Sequence, residues 1–291
     1  MPVAVVTDTT HYLPRELADA HHLHQVSLHV TWSGHTQREG GLANFDSFYA
    51  HLRGGGDLPT TSQPSVGEFL AVYRPLLDSG ADILSLHLSS GLSGTFASAE
   101  QARAALLEDG CDPDRIIVLD STTTCGGLGL MAMAAANSAR DGRGLADVGE
   151  RARALRRELE VRFAVQDLEY LRRGGRIGSA QAWLGSALKV KPILTLERQV
   201  EPIERVRTWS RAVERLVEHL EGRRRDGHDA WFVQHARADA DAARMVERGT
   251  EVFGRGPEFV SEVGPVVAAH TGPGLLGVAA IRRDLLGPVG T

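Results

Sequence analysis

Ile83-Leu84-Ser85-Leu86-His87-Leu88 runs straight into Ser89-Ser90-Gly91-Leu92-Ser93-Gly94-Thr95, and a helical pattern begins near Phe96. An apolar run of strand length, a turn crowded with hydroxyls and glycines, and then a helix is the join of an α/β sheet. Free backbone N–H groups at a helix start, with Ser and Thr hydroxyls beside them, make a place for an anion or polar head group. The turn itself holds no lysine or arginine, so it offers hydrogen bonds rather than a full opposing charge. A single weak acid, such as a carboxylate, suits it better than a triphosphate. Without a ligand, the same residues make an ordinary serine-rich strand–helix turn.

On either side of this join, short β-rich runs alternate with amphipathic helical segments. Strands are expected over 3–7, 25–30, 82–88 and 115–119. A helix over 44–52 runs into Gly54-Gly55-Gly56 as a C-terminal stop. The next opens at Ser65-Val66-Gly67-Glu68, the spacing of a capping box. The alanine-rich segment 126–140 has the composition of a helix packed closely on a sheet. Strands separated by helices favour a parallel or mostly parallel sheet covered on both faces. The character changes after Gly142-Arg143-Gly144. A charged helix over 145–159 leads to β-rich runs at 161–165, 190–196, 231–234, 259–269 and 277–281. The reading is two-domain α/β: a Rossmann-like parallel-sheet domain over 1–159 and a second α/β domain over 160–291.

The 291 residues suffice for two such domains. A net charge of -5 argues against a nucleic-acid binder. Lys189 and Lys191 are the only lysines, so arginine carries nearly all the positive charge, and Arg223-Arg224-Arg225 sit among acids in a polar helix-to-strand connection. Cys111 and Cys125 flank a strand without metal-ligand spacing, and a reduced, cytoplasmic chain is expected. The N-terminus opens on a strand pattern rather than a signal peptide. No apolar stretch approaches the roughly 20 residues of a membrane span, so no integral membrane segment is expected.

Ligands of open α/β sheets lie beyond the carboxyl ends of the strands, which puts Asp8, in Thr7-Asp8-Thr9-Thr10, in the same crevice as Ser93. Alternatively, Asp8 and Thr9 only shape the turn toward Pro14. In Thr60-Thr61-Ser62-Gln63-Pro64-Ser65, Ser65 serves as the helix cap, leaving Thr61 and Ser62 for a ligand. Arg176, in Gly174-Gly175-Arg176-Ile177-Gly178 after a helical segment over 167–173, suits a carboxylate, a partner surface or plain solvent. His270 stands at the end of the apolar strand Val266-Val267-Ala268-Ala269, ahead of Thr271-Gly272-Pro273-Gly274, where a lone histidine is commonly structural. His21 and His22 finish a helix while His24 starts a strand, so no metal site is expected there. Gly91-Leu92-Ser93-Gly94-Thr95 approaches a nucleophile elbow with Thr95 in place of glycine, and Ser93, Asp167 and His270 fall in α/β-hydrolase order. Gly127-Leu128-Gly129-Leu130-Met131-Ala132 matches a dinucleotide pattern but lies well past its strand, which favours close helix packing.

In this order, Thr7-Asp8-Thr9-Thr10, Thr61-Ser62-Gln63-Pro64-Ser65, the 89–96 turn, the 167–177 segment and His270-Thr271-Gly272-Pro273-Gly274 together resemble the DegV family. These are bacterial fatty-acid-binding proteins, some of which serve as the acyl-binding subunit of fatty acid kinase. The resemblance runs from the first strand to the last turn. Thr9 stands where the family usually has Ser, Phe96 where Tyr is common, and Gly178 where Ser often follows Gly-Gly-Arg-Ile.

What the resemblance implies is a DegV-like two-domain fold with a ligand tunnel between the domains for a long-chain fatty acid such as palmitate, stearate or oleate. Thr61 and Ser93 would hydrogen-bond the carboxylate, with Ser62, Gly94 and Thr95 around it and the N–H of Ser93 or Gly94 assisting. His270 and Asp8 would belong to the head-group network, and Arg176 to the tunnel mouth or a partner surface. No metal and no cofactor other than the bound acid is implied. A fatty acid kinase partner would convert the carboxylate to an acyl phosphate for phospholipid synthesis, this chain forming and breaking no bond itself. The absence of a Walker A sequence suits a carrier. The alternative is a serine hydrolase acting on acyl esters through Ser93 and His270, and a third reading is a lipid sensor without a kinase.

Overall fold

A computed structural model describes residues 1–55, 57–183 and 190–287. The chain begins with β1 (Val3–Asp8), α1 (Arg15–Ala20) and β2 (His24–Val26). It continues through β3 (His29–Trp32), β4 (His35–Arg38), α2 (Asp46–Arg53) and β5 (Thr60–Ser62). Next come α3 (Val66–Asp78), β6 (Asp82–His87), α4 (Thr95–Glu108), β7 (Ile116–Asp120), α5 (Cys125–Arg140) and α6 (Leu145–Glu158). The second half runs β8 (Arg162–Ala164), α7 (Glu169–Arg173), β9 (Lys191–Glu197), β10 (Gln199–Val206), α8 (Trp209–Arg225) and β11 (Ala230–His235). It ends with α9 (Asp239–Phe253), β12 (Phe259–Glu262), α10 (Pro265–Thr271) and β13 (Leu276–Ile281).

The first sheet is parallel throughout, in the order β2-β1-β6-β7. Successive residues of a strand face opposite sides, and here both sides are apolar. Val6 and Ile83 pack with Phe69, Tyr73 and Ala99 of α3 and α4, whereas Val5 and Leu84 join a larger core with α5 and α6. The second sheet has the order β10-β9-β8-β13-β11-β12. Only β11 and β12 pair in parallel; the other neighbours are antiparallel. Trp231 and Val233 face α8 and α9, while Phe232 turns to the larger core and meets α5. Helix α5 therefore lies between the two sheets, buried at every residue from Gly126 to Ser138.

Several expectations are corrected. The 25–30 strand is two strands, because Leu28 N–H is drawn to the Thr9 hydroxyl and the Ser27 hydroxyl takes Gly40 N–H, bending the chain between them. β3 then enters a third, antiparallel sheet, β4-β3-β5, with Thr60–Ser62 as an edge strand. The 259–269 run is a strand followed by a helix, since Pro265 presets the first helical turn of α10. Arg223, Arg224 and Arg225 form the last turn of α8, with Arg223 buried against the Glu158 and Ala280 carbonyls. The capping box at Ser65 and Glu68 is present with both of its hydrogen bonds. Gly56 and Lys189 lie outside the described residues. Among those residues no helix is long and apolar enough to cross a membrane.

Candidate functional site

β6 delivers the 89–95 turn to the carboxyl edge of the parallel sheet, and the second half clamps it there. Ser89 Oγ donates to Arg198 O at 2.6 Å, and Arg198 N–H donates to Thr122 O at 3.0 Å. At Gly91 a Cβ would lie 2.3 Å from the same Arg198 carbonyl oxygen, so this close approach requires glycine. Ser93 N–H is spent on Ser89 O at 3.2 Å, which leaves Gly94 N–H as the donor without an acceptor among the described residues. The hydroxyls of Ser93 and Thr95 pair at 2.9 Å, with Thr95 wholly buried.

Two groups from the second half complete this polar cluster. His270, in the last turn of α10, places Nε2 2.8 Å from Thr61 Oγ1 on β5. Arg176 donates from Nε to Leu92 O at 3.1 Å and from a terminal nitrogen to Gly174 O at 2.7 Å. A full positive charge thus stands beside a turn whose own residues carry none. Burial, helped by the Arg176 charge, pushes the His270 imidazole down to about 4, so it is neutral at ordinary pH. The Nε2–Oγ1 hydrogen bond ties the Thr61 hydroxyl to α10.

Thr61, Ser62, Ser93, Arg176 and His270 all line one cavity, with about 980 Å³ of empty space including the solvent at its mouth. Most of its wall is apolar: Leu28, Leu88 and Leu92 from the first half, and Phe163, Leu196, Val200, Phe232, Val263 and Leu275 from the second. Gly94 and Thr95 are not among the residues of the wall.

Asp8 is corrected in place. It is fully buried, on neither the cavity wall nor a surface, and its carboxylate accepts from Thr10 N–H, the Thr10 hydroxyl and Leu88 N–H. The Thr10 hydroxyl in turn accepts from Thr124 Oγ1 at 3.0 Å, and both Thr124 and Leu88 are on the wall, so Asp8 reaches the cavity through Leu88 and, by way of Thr10, through Thr124. Burial alone would raise the Asp8 carboxyl; the His87 hydrogen bond and charge, with Thr10 and Leu88, bring it below its ordinary value.

The hydrolase alternative finds no geometry here. Ser93 Oγ bonds to Thr95, His270 to Thr61, and Asp167 caps its own helix at Glu169 N–H. A serine–histidine–aspartate chain exists elsewhere: Ser85 Oγ lies 2.6 Å from His87 Nε2, and His87 Nδ1 3.2 Å from Asp8 Oδ2. All three are fully buried, and the Tyr73 hydroxyl occupies the position over Ser85 at 2.6 Å, leaving no room for a substrate. Among the described residues no group of three or more potential ligands could hold a metal. In the dinucleotide-like stretch, Gly127 and Gly129 abut Thr123, Leu159 and Leu13, as close helix packing requires.

Sequence reasoning missed Gln63, Thr124, Cys125 and Gln234 on the wall, and Glu39 behind it. Gln234 carried a signal, a lone amide in the apolar run Trp231-Phe232-Val233. Arg38-Glu39-Gly40-Gly41 looks like any polar turn.

Fold and cavity define a class: two α/β layers enclosing an apolar chamber that one polar cluster closes. The chain belongs to the DegV family, whose model matches residues 2–283. It is 37% identical over 281 residues to protein DegV of Bacillus subtilis, covering 96% of this chain and 98% of the relative. A DegV domain-containing protein of Streptomyces coelicolor is 40% identical over 285 residues, covering 97% and 99%. Among solved structures, a fatty-acid-binding DegV family protein from Thermus thermophilus superposes with a TM-score of 0.87 at 35% identity, over 97% of this chain and all of that one. The crystal structure of Bacillus subtilis DegV, described as a fatty acid binding protein, gives 0.86 at 36% with the same coverage.

Proposed function

We propose that this chain binds a long-chain fatty acid, such as palmitate, stearate or oleate, in the cavity between its halves, taken as 1–159 and 160–291. The observation that carries the reading is the meeting of Thr61, Ser93, Arg176 and His270 on the wall of an otherwise apolar chamber. Each buried CH₂ contributes about 0.8 kcal/mol, so the chamber supplies affinity while the polar cluster fixes the head. Thr61, Ser62 and Ser93 hold the carboxylate, Gly94 and Thr95 support Ser93 from off the wall, His270 orients Thr61, and Arg176 supplies charge. Asp8 supports the network from behind. The chain acts as a cytoplasmic carrier that presents the carboxylate to a fatty acid kinase for acyl-phosphate formation, feeding phospholipid synthesis. Support comes from the relatives described as fatty-acid-binding and from the Ser93 hydroxyl, whose hydrogen bond goes to Thr95.

Mass spectrometry of extracts from natively purified protein should find a long-chain fatty acid, and delipidated protein should rebind palmitate. Replacing Thr61 and Ser93 together by Ala removes hydrogen bonds to a charged group, each worth about 1.5–3 kcal/mol, so affinity should fall at least tenfold. No acid in the extract and no rebinding would sink the reading. Acyl phosphate should form only when both a kinase partner and ATP are added.

A further inference from the structure

Two helices start at the cavity, and neither caps itself. α5 begins at Cys125 and α10 at Pro265, and neither has a side-chain bond from its own cap residue. The first N–H groups of a helix have no partner inside it and must find one elsewhere. Here each finds one in the other half of the molecule. Glu39, from the first half, accepts Val266 N–H of α10 at 2.8 Å, and the Tyr12 hydroxyl takes Val267 N–H at 3.2 Å. Gln234, from the second half, accepts Gly126 N–H of α5 at 2.5 Å. Both caps are themselves held. Glu39 also accepts the hydroxyls of Thr9 and Tyr12, at 2.7 and 2.8 Å. The Gln234 amide donates to His11 O at 3.1 Å and Ser261 Oγ at 2.9 Å.

Glycines at both starts permit the approach. A Cβ on Gly264 would lie 2.5 Å from the Tyr12 ring and 2.8 Å from Glu39 Oε1, and one on Gly126 would lie 2.3 Å from the Phe232 ring. Both capped helices line the cavity. α5 brings Cys125, and α10 brings Val266, Val267, Thr271 and His270, the partner of Thr61.

We propose that Glu39 and Gln234 are reciprocal positioning residues, each capping from one half the cavity-lining helix of the other and so setting how firmly the closed site grips its ligand. Glu39 acts through α10 on His270, and Gln234, itself on the wall, acts through α5 on Cys125 beside it. This rests on the fatty-acid reading, and the test separates the two.

Delipidated full-length protein, Glu39→Ala, Glu39→Gln, Gln234→Ala and the double alanine variant are titrated with palmitate, while amide hydrogen exchange and His270 ring resonances are followed without ligand. Glu39→Ala should weaken palmitate binding about tenfold, speed exchange at Val266 and shift the His270 resonances, although Glu39 does not touch His270. Glu39→Gln should restore all three, because its carbonyl still accepts Val266 N–H while its NH₂ reverses the bond to Thr9. Gln234→Ala should speed exchange at Gly126 and weaken binding similarly, and the double variant should depart from the product of the single effects. Unchanged affinity in variants of a protein that binds palmitate overturns the proposal, as does a Glu39→Gln variant no better than Glu39→Ala. If wild-type protein does not bind palmitate, the ligand reading fails. Exchange at Val266 and Gly126 and the His270 resonances then judge the caps alone: the predicted changes sustain them, and their absence overturns them.

Discussion

Glu39 is only 3% exposed and carries three hydrogen-bond donors, yet no basic side chain pairs with it among the described residues. Burial pushes its carboxyl from 4.5 up to about 7, with the Asp8 charge adding to the rise, against the pull of Val266 N–H, Thr9 and Tyr12. Folding therefore takes up a proton at this site. The stability it supplies is complete below the ordinary carboxyl value and is lost as pH climbs through about 7. Glu39→Gln has no such proton. Between about pH 5 and 8 the wild type should lose up to roughly 3 kcal/mol of unfolding free energy relative to Glu39→Gln. His11 and His270, both pushed down to about 4, slope the other way but do so in both proteins. Parallel curves from chemical denaturation across this range would refute the assignment. Residue-scale legibility was uneven for a physical reason. Thr61, Ser93 and His270 stood in polar punctuation marks, whereas Glu39 and Arg176 depend on partners far along the chain, Val266 and Leu92.

The strand–turn–helix unit of β6, the 89–95 turn and α4 was readable because its signals are local: an apolar run, glycines, a hydroxyl-rich start. Two of the misread elements lacked so clear a signal. Val266-Val267-Ala268-Ala269 is apolar enough for either a strand or a helix, and Pro265 decided for the helix. The 25–30 run was split by hydrogen bonds to Thr9 and Gly40, which no window around it contains. In the head-group turn, Gly91 is the point of highest demand. Gly91→Ala would drive a methyl against the Arg198 carbonyl, a backbone atom that cannot swing aside. A cost of roughly 1–3 kcal/mol in urea unfolding is expected, with weaker palmitate binding, since the turn must lift off the β9–β10 connection. A variant as stable as the wild type would mean that this clamp is loose.

At the scale of the molecule, one apolar cluster runs from Val5 through α5 to Ile281 and Leu286, drawing on both sheets. The passage from the first sheet to the second falls between α6 and β8. What composition could not reveal is that α5 belongs to both cores' surroundings, since a helix buried on all sides reads the same whichever sheets enclose it. Ligand-free protein should unfold in a single calorimetric transition, with van't Hoff and calorimetric enthalpies in agreement. Two resolved transitions would show that the halves melt independently. The crossed caps also set an order in time. Glu39 precedes its amide partner Val266 by 227 residues. At about 5–20 residues per second it leaves the ribosome roughly ten to fifty seconds before that partner exists. Until then α10 has no amide to offer Glu39, so this chain can close its chamber only after Val266 has been added.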